Sequence, residues 1–175
     1  MNILKRLSGM FFVVAAMALF GCGGGGGGAS QPTTATLKLS SVGAAGTTIS
    51  GIEVTVVLPA GVTVAATTTI DPAVMETNAG VVVLSGATVA DPTAFSQLKP
   101  TAAYTPAVGT VPGKVKILLP AQKDFGLGEY VTLNTVIAAG NNPVPTDFKL
   151  EGFTAVNSSG APIAGVTSTF AADIK

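Results

Sequence analysis

From Ala35 onward the apolar residues recur every second position, and no 3.6-residue stripe long enough for an amphipathic helix appears. Side chains on a strand point alternately to opposite faces, so this period presents one apolar face and one polar face. Leu37 and Leu39 alternate with Thr36, Lys38 and Ser40. Ile52, Val54, Val56 and Leu58 alternate with Glu53 and Thr55, and Val62 and Val64 follow after a Pro59-Ala60-Gly61 break. Lys114 and Lys116 fall on one face, with Val115, Ile117 and Leu119 on the other. Val131 and Leu133 oppose Thr132 and Asn134, and Phe148 and Leu150 oppose Lys149 and Glu151. Gly152 then shifts the phase so that Phe153 and Ala155 continue it, the mark of a β-bulge. Phe170 anchors a last strand ending near Ile174. Val81–Leu84 is apolar throughout and reads as a strand buried on both faces.

Turn chemistry separates these runs at short intervals. Pro112-Gly113 fits a type II turn, and 139–143 and Asn157-Ser158-Ser159-Gly160 read as loops. Asp91-Pro92 opens the one helical turn expected, over 91–98, with Asp as N-cap and Pro at N1. A shorter turn of that kind is expected at 71–75. About nine strands so spaced predict an all-β domain, a two-sheet antiparallel sandwich with at most one or two short helical turns. At about 140 residues such a domain buries about two-thirds of its unfolded surface and needs no disulfide.

The first 21 residues read as an address rather than as part of the fold. Lys5 and Arg6 precede an uncharged run, Leu7–Phe20, that is shorter than the roughly 20 residues of a membrane-spanning helix but suits the apolar region of a secretory signal. Leu19-Phe20-Gly21-Cys22 follows. This resembles the lipobox of bacterial lipoproteins, with Leu at −3, a small residue at −1 and Cys at +1; Phe20 is bulkier than the usual −2 residue. The resemblance implies cleavage before Cys22, lipidation of its thiol and amine, and membrane attachment without a transmembrane helix. Gly23 stands where that family often carries an Asp that retains it at the inner membrane, which implies the outer membrane. Six glycines, Gly23–Gly28, then lead to a polar stretch, so residues 22–34 read as a lipidated flexible tether and 35–175 as the folded domain. The glycines match G-x-G-x-x-G, but no strand precedes them and no helix follows, as a dinucleotide site requires.

Within the domain, 51–62 (Gly-Ile-Glu-Val-Thr-Val-Val-Leu-Pro-Ala-Gly-Val) is similar to the early strand pair of cohesin-like domains. Gly128-Glu129-Tyr130-Val131-Thr132-Leu133-Asn134 resembles a late strand of that family, and 148–163 its closing strand and hairpin. The likeness runs from about Thr36 to Ile174 and rests on pattern and turns; Leu58-Pro59-Ala60 lacks the family's Asp. It implies a nine-stranded jelly-roll sandwich related to carbohydrate-binding modules, several of whose members bind partner modules on an exposed sheet face.

Chemistry is sparse. The chain has no His, no Trp and one Cys, which removes the commonest general base, the commonest metal ligand and any thiolate cage. Ser158 and Ser159 therefore have no triad partner. The carboxylates Glu53, Asp71, Glu76, Asp91, Asp124, Glu129, Asp147, Glu151 and Asp173 are scattered, with no D-x-[DN]-x-[DN]-G calcium loop among them. Asp71 and Asp91 read as turn or cap residues, and Glu53, Glu129 and Glu151 as outward strand positions. Nothing calls for a cofactor or metal, and the domain is expected to be non-enzymatic. Once Lys5 and Arg6 leave with the signal, seven basic residues face nine acidic ones, a net −2. Such a chain has no basic patch for nucleic acid. Phe148, Phe153 and Phe170 are expected in the core, whereas Tyr104 and Tyr130 are expected at the surface as the candidate ligand contacts. Three roles stay open: a lipid-anchored module binding a protein partner, a polysaccharide-binding module, and a structural subunit assembling by strand addition.

Overall fold

The structure, a computed structural model, describes residues 31–67, 74–90 and 100–175. The segment read as a signal, Cys22 and the glycine run lie outside the described residues, as do Asp71, Asp91 and the helical turn expected over 91–98. The compact unit that holds the strands comprises Gln31–Lys175. Just ahead of residue 35, the Thr33 carbonyl accepts from Ile137 N–H at 2.8 Å, and Thr34 N–H donates to the Lys175 carbonyl at 2.9 Å.

Eleven strands form among the described residues: β1 (Thr34–Val42), β2 (Thr48–Leu58), β3 (Val62–Thr63), β4 (Ala66–Thr67), β5 (Met75–Thr77), β6 (Val82–Leu84), β7 (Thr101–Thr105), β8 (Gly113–Gly126), β9 (Gly128–Ile137), β10 (Lys149–Val156) and β11 (Thr167–Ile174). They pair antiparallel into two sheets. The five-stranded sheet runs β11-β1-β9-β3, with β6 also on β9; the six-stranded sheet runs β10-β2-β8-β7-β5-β4. The all-β sandwich expected from the alternation is what forms. The strands that the alternation did not mark are β4 and β5, two and three residues long and too short to show a period, and β7.

Alternation sets which side chains are enclosed. Leu37, Leu39, Val131 and Leu133 of one sheet and Val54, Val56, Val115 and Ile117 of the other are all fully buried. They share one cluster with Ile49, Leu58, Leu119 and Phe148. Phe153 and Phe170, expected in this core, are only half-buried because β10 and β11 are edge strands. Val81–Leu84 departs from expectation for the same reason. Among the described residues its strand β6 pairs only with β9, and Val83 is 43% exposed on the solvent side.

Two turns differ in detail. Val108 and Val111 exchange backbone hydrogen bonds around Gly109-Thr110, and Gly109 takes the positive φ (57°) that was expected of Gly113. Gly113 is instead a buried β8 residue paired with Leu58. Two 3-10 turns occur among the described residues, Gly86–Thr88 and Pro145–Asp147; most of the shorter turn expected at 71–75 lies outside them, and its last residue, Met75, belongs to β5. Gly86 is required where it stands. Its φ is +56°, and a Cβ there would collide with the Glu129 backbone carbonyl. The Gly152 bulge is present, with a register shift between Glu151 and Thr154 against β2.

Candidate functional site

The lysines of β8 lead to the site. Lys114, Lys116 and Leu118 share the phase opposite to buried Val115, Ile117 and Leu119, so they face solvent on the outer side of the six-stranded sheet. Register puts Val57, Thr55 and Glu53 of β2 beside them in turn. Lys149, Glu151 and Thr154 of β10 follow on the far side of β2, and Thr105, Ala103 and Thr101 of β7 on the near side. Acid and lysine are offset by one row, so each ion pair runs diagonally. Lys116 Nζ lies 2.8 Å from Glu53 Oε1, and Lys114 Nζ lies 2.8 Å from Glu151 Oε2, reaching across β2. Both pairs are exposed and worth at most about 1 kcal/mol to the fold. Val57, outward but only 7% exposed, lies in the same row as Lys114 and Lys149.

Leu118 has no such cover and is 40% exposed at the middle of the face. Two open depressions meet at Leu118 and Thr101. One of about 460 Å³ is floored by Gly51, Ile52, Leu119, Pro120 and Val156 and edged by Glu53. The other, of about 310 Å³, runs toward Glu76, Pro100, Ala103 and Lys116. The floor is apolar, and the two ion pairs lie along one side of it. Leu118 was not singled out by motif, yet the phase that turns Lys114 and Lys116 outward turns it outward too.

The tyrosines are elsewhere, and their expected surface position is corrected. Tyr104 is 5% exposed, because its place opposite Val115 puts it in the inward phase of β7. Tyr130 is fully buried. A register shift pairs Leu39 with Val131 and Ser40 with Glu129, leaving Tyr130 as the extra residue of a bulge. Two consecutive side chains, Tyr130 and Val131, can then both turn inward. The Tyr130 hydroxyl meets Ser168 Oγ on β11 at 2.7 Å, and Ser168 Oγ also donates to the Ser40 carbonyl at 3.3 Å. Thr88 Oγ1 donates to the Tyr130 carbonyl at 2.9 Å. Burial pushes the Tyr130 phenol up to about 12, against a smaller opposing effect of Ser168, and burial also raises that of Tyr104. Neither ring is available as a sugar-stacking platform.

The described carboxylates are dispersed. Glu53 and Glu151 are taken by lysines, Glu129 lies 3.7 Å from Lys38, and Asp173 pairs with Lys175 at 2.7 Å. Asp147 accepts from Val144 N–H at 2.8 Å, and Asp124 accepts from Ser50. No group of three or more metal-ligating side chains gathers among the described residues. Comparison with known protein families, curated proteins and solved structures finds no match.

Proposed function

We propose that the chain is a bacterial lipoprotein, held at the outer membrane by lipid on Cys22, whose cohesin-like sandwich is a non-catalytic binding module for a protein partner. The observation that carries the binding role is the outer face of the six-stranded sheet, where Leu118 and an apolar floor lie beside two diagonal ion pairs. A partner covering Leu118 removes apolar surface from water, while Glu53, Lys114, Lys116 and Glu151 select its charge pattern alongside. The lipobox-like Leu19-Phe20-Gly21-Cys22 supports the anchor, and the buried tyrosines favour a protein over a polysaccharide.

Lysine-reactive cross-linking in intact envelopes tests the face. Cross-links to another protein are expected at Lys114, Lys116 and Lys149, not at Lys38 on the other sheet, and Leu118→Asp should abolish them while the circular dichroism is unchanged. Cross-links concentrated at Lys38, or surviving Leu118→Asp, would overturn the assignment. For the anchor, Cys22→Ser should leave the chain uncleaved or released; a variant still membrane-bound at mature size would count against lipidation.

A further inference from the structure

Sheet edges expose unpaired backbone groups, and among the described strands all edges but one are blunted. β3 and β4 are two residues long and β6 three. β10 is broken by the bulge at Gly152, and its far end is covered where Ile163 N–H donates to the Ala155 carbonyl at 2.8 Å and Val156 bridges to Pro162. β11 has none of these devices. Its eight residues pair with β1 in unbroken register, contain neither Gly nor Pro, and carry one charge, Asp173, already paired with Lys175.

The hydrogen-bond phase of that edge can be read directly. Thr34 and Lys175 exchange both backbone bonds, at 2.9 Å each. In an antiparallel ladder such pairs alternate. Asp173, Ala171, Thr169 and Thr167 therefore turn their N–H and C=O groups toward β1, and Ser168, Phe170, Ala172 and Ile174 turn theirs outward. No strand pairs with that outer edge among the described residues. The same four residues point their side chains toward the core, yet they are only half-buried, whereas Leu37 and Leu39 on the adjacent strand are fully enclosed. β10 of the other sheet and the Pro145–Asp147 turn approach β11, but no described strand hydrogen-bonds to its outer edge.

We propose that a second copy of this chain supplies a strand there, with two β11 strands pairing antiparallel across a two-fold axis at Ala171. Opposed residues in an antiparallel pair share a sheet face, so only registers that shift by two residues are allowed. Centred on Ala171, the pairing sets Phe170 against Ala172 and Ser168 against Ile174. All four outward-facing residues of each copy then find hydrogen-bonding partners. On the solvent face Thr169 lies opposite Asp173, a hydroxyl donor beside a carboxylate, and Ala171 meets its own copy. Centring on Phe170 instead stacks the two phenylalanines on one point; centring on Ala172 leaves Ser168 unpaired and sets Ala171 against Asp173. The edge is complementary to itself, as an isologous interface must be. The contact joins the five-stranded sheets and leaves the Leu118 face of the other sheet free, so either assignment can fail without the other.

Disulfide trapping of the full chain in detergent tests the register. Residues at a non-hydrogen-bonded antiparallel pair have Cα atoms about 4.5 Å apart, within disulfide reach. Ala171→Cys should link into covalent dimers under mild oxidation. Thr169→Cys should not, since its two copies lie about 13 Å apart along the strands; the unmodified chain should not either. Ala172→Pro removes an outward N–H and no bond to β1, a position where an edge strand accepts proline. This variant should keep the parent's circular dichroism but sediment as a monomer where the parent is a dimer. A parent that stays monomeric up to about 1 mM, equal trapping at both cysteines, or a folded Ala172→Pro that still dimerises would overturn the proposal. The trapping result stands however the proline variant folds.

Discussion

Tyr130 shows how one position can escape a pattern and still stabilise the fold. An extra residue in β9 places it where a strictly alternating strand would send a side chain outward, and its hydroxyl then meets Ser168 rather than water. Ionising that phenol in the folded protein is opposed by burial, so its value stands near 12 against the usual 10. A proton is therefore bound by the native state and not by the unfolded state between about pH 10 and 12. Stability is fully present below pH 10 and falls as pH rises through that window, by about 2–3 kcal/mol for the full shift. Phenolate absorbance should track this: both tyrosines of the folded chain should titrate above free tyrosine, and return to the ordinary value in denaturant. Tyr130→Phe should cost about 1 kcal/mol at neutral pH, because Ser168 keeps its bond to Ser40, and should flatten most of the alkaline loss. A native titration at the ordinary tyrosine value would contradict the burial.

At the level of strands, inward-facing and outward-facing positions predict opposite mutational outcomes. Leu133 on β9 is fully buried, and Leu133→Ala should cost about 2–5 kcal/mol in urea unfolding. Lys116 on β8 faces solvent, and Lys116→Ala should change stability by under about 1 kcal/mol despite its 2.8 Å ion pair. Most of this was legible in the order of residues. The Lys114–Leu119 alternation, the Leu37/Leu39 pair and the phase shift at Gly152 each specify a face, and burial follows them. What escaped depended on pairing. Tyr104 is inward because of its partner Val115, and β6 is half-exposed because no described strand pairs with its other edge. The candidate site escaped for the same reason. Glu53 meets Lys116, and Glu151 meets Lys114, only once strands far apart in sequence are set side by side. The lettering of each strand says which side faces out, not what stands next to it.

Across the whole domain the two sheets divide the work. The six-stranded sheet offers the Leu118 face, while the five-stranded sheet holds the first and last strands of the described chain next to each other. β1 is flanked on both sides, with eight register pairs to β11 and eight to β9. Chain emerging before Thr34 passes any load first into this strand. A pull drawn along the axis of β1 is opposed by both ladders together, since their hydrogen bonds lie across the direction of force and must shear at once. Drawn sideways from an edge, the same bonds would part in sequence. Stretching single molecules by the Gln31 end against an attachment on β8 should therefore give one high-force rupture, and a staircase of small ones would show that β1 peels. The strand that joins the domain to whatever precedes it is thus also its mechanical clamp.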